Sequence, residues 1–250
     1  MDYTLLNGYS IFELRKIAKD MDIRDASILT KSKLIRDITT CFKYYEKYSD
    51  VPKEQKDNNK YTIIKQIGNR GKEGIVYLVK DKKEKKYALK QFKQTKSGNT
   101  LKKEAELQQQ ASKYKVCPKV IEYDVDKKYI VMELLNKNLI EELKEKGELD
   151  IEQQREIIQI FRNLDNAKVF HGDANILNFM LDKKGHVKII DFGFSKPIDD
   201  KLIKEHGTDK VNMKFMVSGL LIKLKELTPH KKYDYLIHFV PKEQQYIFNI

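Results

Sequence analysis

Three short runs constrain this chain more than anything else in it: "YTIIKQI" at 61–67, "GIVYLVK" at 74–80 and "KYALKQF" at 86–92, with the charged turn "DKKEKK" between the last two. Runs of roughly 4–8 residues rich in β-branched and aromatic side chains, bounded by glycine or charged clusters, predict strands. Three in succession predict an antiparallel meander. A polar, helix-favouring stretch around 100–115 follows, and "KVIEYD" and "KYIVMEL" predict two further strands. After these the pattern turns helical. "NLIEELKEKG" and "IEQQREIIQIFRNLDNAK" carry apolar residues on one face, and Asp150 is placed to cap the second.

Ahead of the strands, residues 10–42 repeat apolar positions at helical spacing: Ile11, Leu14, Ile17 and Ala18, then Leu34, Ile35 and Ile38 after the break at "DIRDAS". Two short helices joined by an extended turn are predicted, with Ile23 and Leu29 closing a small core. "YSDVPKEQKDNNK", polar and charged around a proline, reads as a linker. The expected organisation is a helical module at 1–48, a linker at 49–60 and a larger α+β unit at 61–250, strand-rich over 61–135 and helical over 136–250.

Forty per cent of the 250 residues are apolar and 34% charged, the balance of a soluble globular protein. No run of about 18 apolar residues occurs, and "MDYTLLNGYS" lacks the charged-then-apolar order of a signal peptide. A cytoplasmic or nuclear protein, neither secreted nor in a membrane, is expected. Cys41 and Cys117 match no metal-ligand spacing and are expected to be reduced. The net charge of +12 fits a polyanionic partner or solubility alone. Residues 1–48 hold 9 basic and 7 acidic side chains, so most of the excess lies in the larger unit.

Five features of that unit fall in one order. "IGNRGKEGIVY" sets Gly68, Gly71 and Gly74 between two predicted strands, where backbone N–H groups can approach phosphate oxygens. "YALK" puts Lys90 on the third strand. The helix "TLKKEAELQQQ" offers Glu104 or Glu106 to hold that lysine. "HGDANILN" carries Asp173 and, five residues on, Asn178. "IIDFG" supplies Asp191 beyond a "DKKG" turn that makes "NFMLD" and "HVKII" a hairpin. Phosphoryl transfer from ATP needs such parts, because the phosphates' charge must be neutralised and aligned. Mg2+ prefers oxygen ligands such as Asp191 and Asn178. Asp173 would accept the proton of an attacking hydroxyl.

In these motifs residues 61–228 resemble the eukaryotic-like protein kinase superfamily. The resemblance implies a two-lobed α+β fold, here with a truncated C-lobe, that binds ATP and Mg2+ and acts on a protein substrate. It implies that Lys90 pairs with a helix glutamate, that Asp173 is catalytic, and that Asn178 and Asp191 hold the metal. Gly68, Gly71, Gly74 and Val76 would cover the nucleotide, Glu133 and Leu135 of "VMELL" would read adenine through their backbone, and Met132 would gate the pocket behind. His171 would be structural.

The chain also departs from that pattern. The glycine loop is one residue longer between Gly68 and Gly71. Gly172 replaces the arginine of HRD, Asn175 replaces a lysine, no APE follows DFG, and 57 residues remain after Gly193. In "HGD", "IDFGFS" and the short tail the chain resembles the compact atypical kinases, the RIO group and the small kinase subunit of the KEOPS tRNA-modification complex. That likeness implies that Asp209, in "GTDKVNMKFMVSGLLIKLKEL", braces the catalytic loop. "LRKIAKDMDI" and "LTKSKLIRDI" resemble SAP and Rho N-terminal helix pairs, which implies nucleic-acid contact through Lys31, Lys33 and Arg36. The expected activity is ATP-dependent phosphorylation of protein Ser/Thr hydroxyls. A nucleotide-binding scaffold and a nucleic-acid-targeted regulatory factor are the alternatives.

Overall fold

The structure, a computed structural model, describes residues 3–20, 23, 25–48, 60–67 and 73–248. Gly68 and Gly71 lie outside the described residues, and so does the side chain of Cys41. The chain divides into two compact units, Met1–Asn59 and Lys60–Ile250.

In the smaller unit, a 3-10 turn over Tyr3–Gly8 precedes helices α1 (Ile11–Asp20) and α2 (Lys31–Tyr48), the latter running past the predicted end at residue 42. Ser10 starts α1 with a reciprocal cap: its hydroxyl accepts from Glu13 N, and its own N–H donates to the Glu13 carboxylate. Leu14, Ala18, Leu34 and Ile38 are wholly buried, and Ile11, Ile17, Ile23, Leu29 and Ile35 pack around them. Leu6, from the unanticipated 3-10 turn, completes that core. Lys31 donates to the Asn7 carbonyl at 3.0 Å and Lys33 pairs with Asp37 at 2.9 Å, so both lysines are engaged within the unit.

The larger unit opens with five antiparallel strands, β1 (Tyr61–Gln66), β2 (Gly74–Asp81), β3 (Lys86–Phe92), β4 (Val120–Asp124) and β5 (Tyr129–Glu133), ordered β1-β2-β3-β5-β4. The β2–β3 turn is tight because the Asp81 carboxylate accepts from Lys83 N and Lys85 N. Helix α3 (Gly98–Ser112), capped by Ser97, covers one sheet face through Leu101 and Ala105 against Phe92, Val120 and Ile130. Val79, Tyr87, Leu89 and Val131 form a second cluster, as strand alternation requires.

The helical half follows: β6 (Lys137–Asn138), α4 (Leu139–Lys146), α5 (Ile151–Asn166), β7 (Val169–Phe170), β8 (Phe179–Leu181), β9 (Val187–Ile189), β10 (Lys196–Pro197), α6 (Asp200–His206), α7 (Val211–Leu227) and α8 (Asp234–Ile237). Asp150 caps α5 in a full capping box with Gln153, and Gly147 ends α4 in the left-handed region, φ 77°. The β8–β9 hairpin repeats the β2–β3 device, with Asp182 accepting from Lys184 N and His186 N. Ile157, Phe161 and Leu164 of α5 meet Leu220, Leu221 and Leu224 of α7 in one core that includes Phe179 and Ile189. Helix α6 and the β7–β10 pair, which give no strong periodic signal, were not anticipated. Among the described residues no helix is long and apolar enough to cross a membrane.

Candidate active site

Lys90 lies on β3 directly opposite Val76 of β2 and is only 13% exposed. Its ammonium donates to Glu104 Oε1 of α3 and to Asp191 Oδ1, each at 2.7 Å. Burial alone would push this lysine's pKa down; the carboxylates of Glu104 and Asp191 outweigh that and raise it above the ordinary value. Asp191 is likewise pushed up by burial but held below the usual carboxylate range by Lys90. Both groups are therefore charged at neutral pH. Glu106, the other helix candidate, faces away and is half exposed beside Lys102.

The second half of the site is the loop at 171–178. Asp173 accepts from Asn178 Nδ2 at 2.8 Å and from Asn175 N at 3.2 Å. Asn175, in the place of the expected lysine, folds the loop instead: its side chain accepts from Leu177 N and caps the short turn 176–178. The carbonyl of Asn178 accepts from Ile190 N at 2.8 Å, and the carbonyl of Ile190 accepts from His171 Nε2 at 3.0 Å. Two bonds thus fix the residue just before Asp191 to both ends of the loop. The His171 ring is wholly buried, packs edge-on against Phe192 with centroids 4.9 Å apart, and has its pKa lowered by burial. Its Nε2–H donates to the Ile190 carbonyl and burial keeps the ring neutral, so the ring is structural.

Gly172 has φ +80°, and a Cβ there would sit 3.0 Å from the Phe194 carbonyl oxygen. The backbone conformation and the close approach both require glycine where other chains carry arginine. At the opposite face, a Cβ on Gly219 of α7 would lie 3.0 Å from Ala174 Cβ, so α7 supports the loop at van der Waals contact.

The brace of this loop is Asn212, and the expectation for Asp209 is corrected. Asp209 is 42% exposed and pairs with Lys168 at 2.9 Å. Asn212, wholly buried at the start of α7, accepts from His171 N at 3.0 Å and donates to Val169 O and Asp165 Oδ1, each at 2.8 Å. Asp165, on α5, also accepts from Asn212 N and Met213 N. Helix α7 has no side-chain cap of its own, so Asp165 caps it from the neighbouring helix. Sequence reading missed Asn212 because it lies three residues beyond Asp209, just inside α7 where Asp209 is just outside it, with similar hydrogen-bonding chemistry.

Of the remaining candidates, Gly74 is required by the sheet: a Cβ there would meet the Gln91 carbonyl oxygen at 2.1 Å. Glu133 N donates to Lys119 O at 3.0 Å, and Met132 touches Gln108, one turn beyond Glu104 on α3. Leu135 lies in the segment joining the sheet to the helical half, where Asn136 N donates to Leu181 O at 2.8 Å. Asp191, with φ +65°, is 48% exposed and ionised, and Asn178 donates its amide nitrogen to Asp173. A carboxylate and an amide oxygen are the ligand types that a hard, oxygen-seeking dication prefers.

A family model described as "Protein kinase domain" matches residues 61–218. The chain is 33% identical over 91 residues to "Mitogen-activated protein kinase kinase kinase 1a" of Physcomitrium patens, covering 33% of this chain and 12% of that protein. It is 40% identical over 58 residues to "Probable serine/threonine-protein kinase ndrC" of Dictyostelium discoideum, covering 23% and 4%. It is 26% identical over 103 residues to "Probable bifunctional tRNA threonylcarbamoyladenosine biosynthesis protein" of Methanococcus vannielii, covering 41% and 18%. The chain therefore spans less than a fifth of the length of each of these relatives. The family model covers more than half of the chain, across the buried lysine, the 171–178 loop and the Asp-Phe-Gly turn, and the chain belongs to the protein kinase domain family.

Proposed function

We propose that this chain is a minimal ATP-dependent kinase, of the compact atypical kind, that phosphorylates Ser/Thr hydroxyls of protein. The observation that carries the proposal is Lys90 held 2.7 Å from both Glu104 and Asp191, since a lysine kept charged and fixed on the central strand of a sheet is what phosphate alignment requires. In this reading Lys90 binds the nucleotide phosphates, and Val76, Gly74, Gly68 and Gly71 would cover them. Leu135 offers its backbone to adenine, and Glu133, whose N–H is engaged by Lys119, contributes its carbonyl. Asn178 and Asp191 would hold Mg2+, which when bound neutralises phosphate charge. Asp173 accepts the proton of the attacking hydroxyl, oriented by Asn178 and by Asn175 N. Residues 1–48 act as a separate targeting module joined by the linker at 49–60.

Transfer of labelled phosphate from ATP to protein, compared among wild type, Asp173→Ala and Lys90→Met, tests this. A loss of about 100-fold or more in either variant is expected. Equal labelling in all three, or none by the wild type on any substrate, would reject it and leave the nucleotide-binding scaffold as the reading to pursue.

A further inference from the structure

A second lysine enters the same site. Lys96 follows a turn closed by Lys96 N to Lys93 O at 3.0 Å, which brings its side chain back over the Phe92 ring, with Nζ 4.6 Å from the ring centroid. Its side chain is only 6% exposed, an unusual place for lysine. Nζ donates to Glu104 Oε2 at 2.7 Å, so the two oxygens of Glu104 are divided between Lys90 and Lys96.

The other partner of Lys96 is Glu73, immediately before β2, whose Oε2 lies 2.7 Å from Lys96 Nζ and 3.9 Å from Lys90 Nζ. One oxygen therefore stands within reach of both ammonium groups. Glu73 is aimed there by its backbone, since its carbonyl accepts from Lys93 N at 2.9 Å. It also sits against the Asp-Phe-Gly turn: a Cβ on Gly193 would be 3.0 Å from Glu73 Oε2. Unlike Glu104, which is 3% exposed, Glu73 is 43% exposed, so it can leave into water while Glu104 stays. Three carboxylates, Glu73, Glu104 and Asp191, face the two lysines. A phosphate arriving beside Glu73 would meet a like charge; one replacing it would inherit Lys96 at hydrogen-bonding range and Lys90 at ion-pair range.

We propose that Lys96 is a second phosphate-binding lysine of the nucleotide site and that the Glu73 carboxylate competes with a nucleotide phosphate for it. The inference rests on the nucleotide-site reading above and adds a residue and a competitor to it. Lys90 and Lys96 would share the phosphate chain through a common anchor, Glu104, and Glu73 would set how tightly nucleotide is held.

Titration of the full chain with a fluorescent ADP analogue, with Mg2+ and again with EDTA, tests this. Glu73→Gln keeps the size and removes the charge, and is expected to tighten binding about tenfold in both conditions; Lys96→Met is expected to weaken it by a similar factor. In the Lys96→Met background Glu73→Gln should no longer tighten binding, while Lys96→Arg should retain it. Unchanged affinity in Glu73→Gln overturns the proposal without calling on any variant that alters the buried lysine. Weaker binding in Glu73→Gln with Mg2+ alone would make Glu73 a metal ligand instead, and equal tightening in the Lys96→Met background would remove Lys96 from the account. Wild type that binds no nucleotide would reject the site reading itself, whereas nucleotide binding indifferent to Glu73 rejects only this inference.

Discussion

Asn212 Nδ2 donates to the buried carboxylate of Asp165 at 2.8 Å, while Asn212 Oδ1 accepts from His171 N. An amide suits this position because it donates on one side and accepts on the other. An aspartate at 212 would set a second carboxylate against Asp165, whose own pKa burial already pushes up against the donors of Asn212 and Met213.

Asn212→Ala removes the brace and strands part of the Asp165 carboxylate. A stability loss of about 2–4 kcal/mol is expected in urea unfolding, with a fall in phosphotransfer as the 171–178 loop loosens. Asp209→Ala, which breaks exposed pairs with Lys168 and Lys210, should leave both unchanged.

Glu104→Gln removes the buried charge shared by two ammonium groups, Lys90 and Lys96, and sets an amide NH2 against one of them. The expected cost is about 3–5 kcal/mol, read as a lower melting temperature. Glu106→Gln, on the exposed side of the same helix, should fall within about 0.5 kcal/mol of wild type.

His171 makes stability depend on pH. Its folded pKa is lowered by burial, so its contribution is present above the unfolded value near 6.5 and is lost as pH falls through the folded value. Unfolding midpoints measured between about pH 7 and 5 should decline in the wild type and decline less in His171→Gln, whose amide can still donate to Ile190 O.

Gly74→Ala should destabilise the protein by about 1–3 kcal/mol in the absence of any nucleotide, because the added methyl meets the Gln91 carbonyl on the paired strand. A purely ligand-directed glycine would show no such loss in a melt without ATP.

The strands of the sheet and the capped helix α5 were legible in the sequence, because local composition announces each; Lys90, Asp173, Asn178 and Asp191 stand out there as candidates, and their roles are those proposed above. Glu104 was legible only as one of two. The choice between it and Glu106 depends on which side of α3 the buried Leu101 and Ala105 turn to the sheet. Glu73 and Lys96 gave no separable signal, since both stand in runs of charged residues that read as solvated surface. Asn212 was hidden by Asp209, the more conspicuous candidate three residues earlier.

The order of the five sheet strands and of helices α3 to α5, with the residue types of the kinase motifs, was legible in the sequence alone, since period, charge and turn residues act over a few neighbours. Which carboxylate meets which lysine was decided only in the tertiary structure. Glu73, Lys90, Glu104 and Asp191 come from four separate segments, and Asp165 reaches Asn212 across 47 residues. Such pairings rest on packing and burial, which make an unpaired charge costly and leave few arrangements that satisfy all of them.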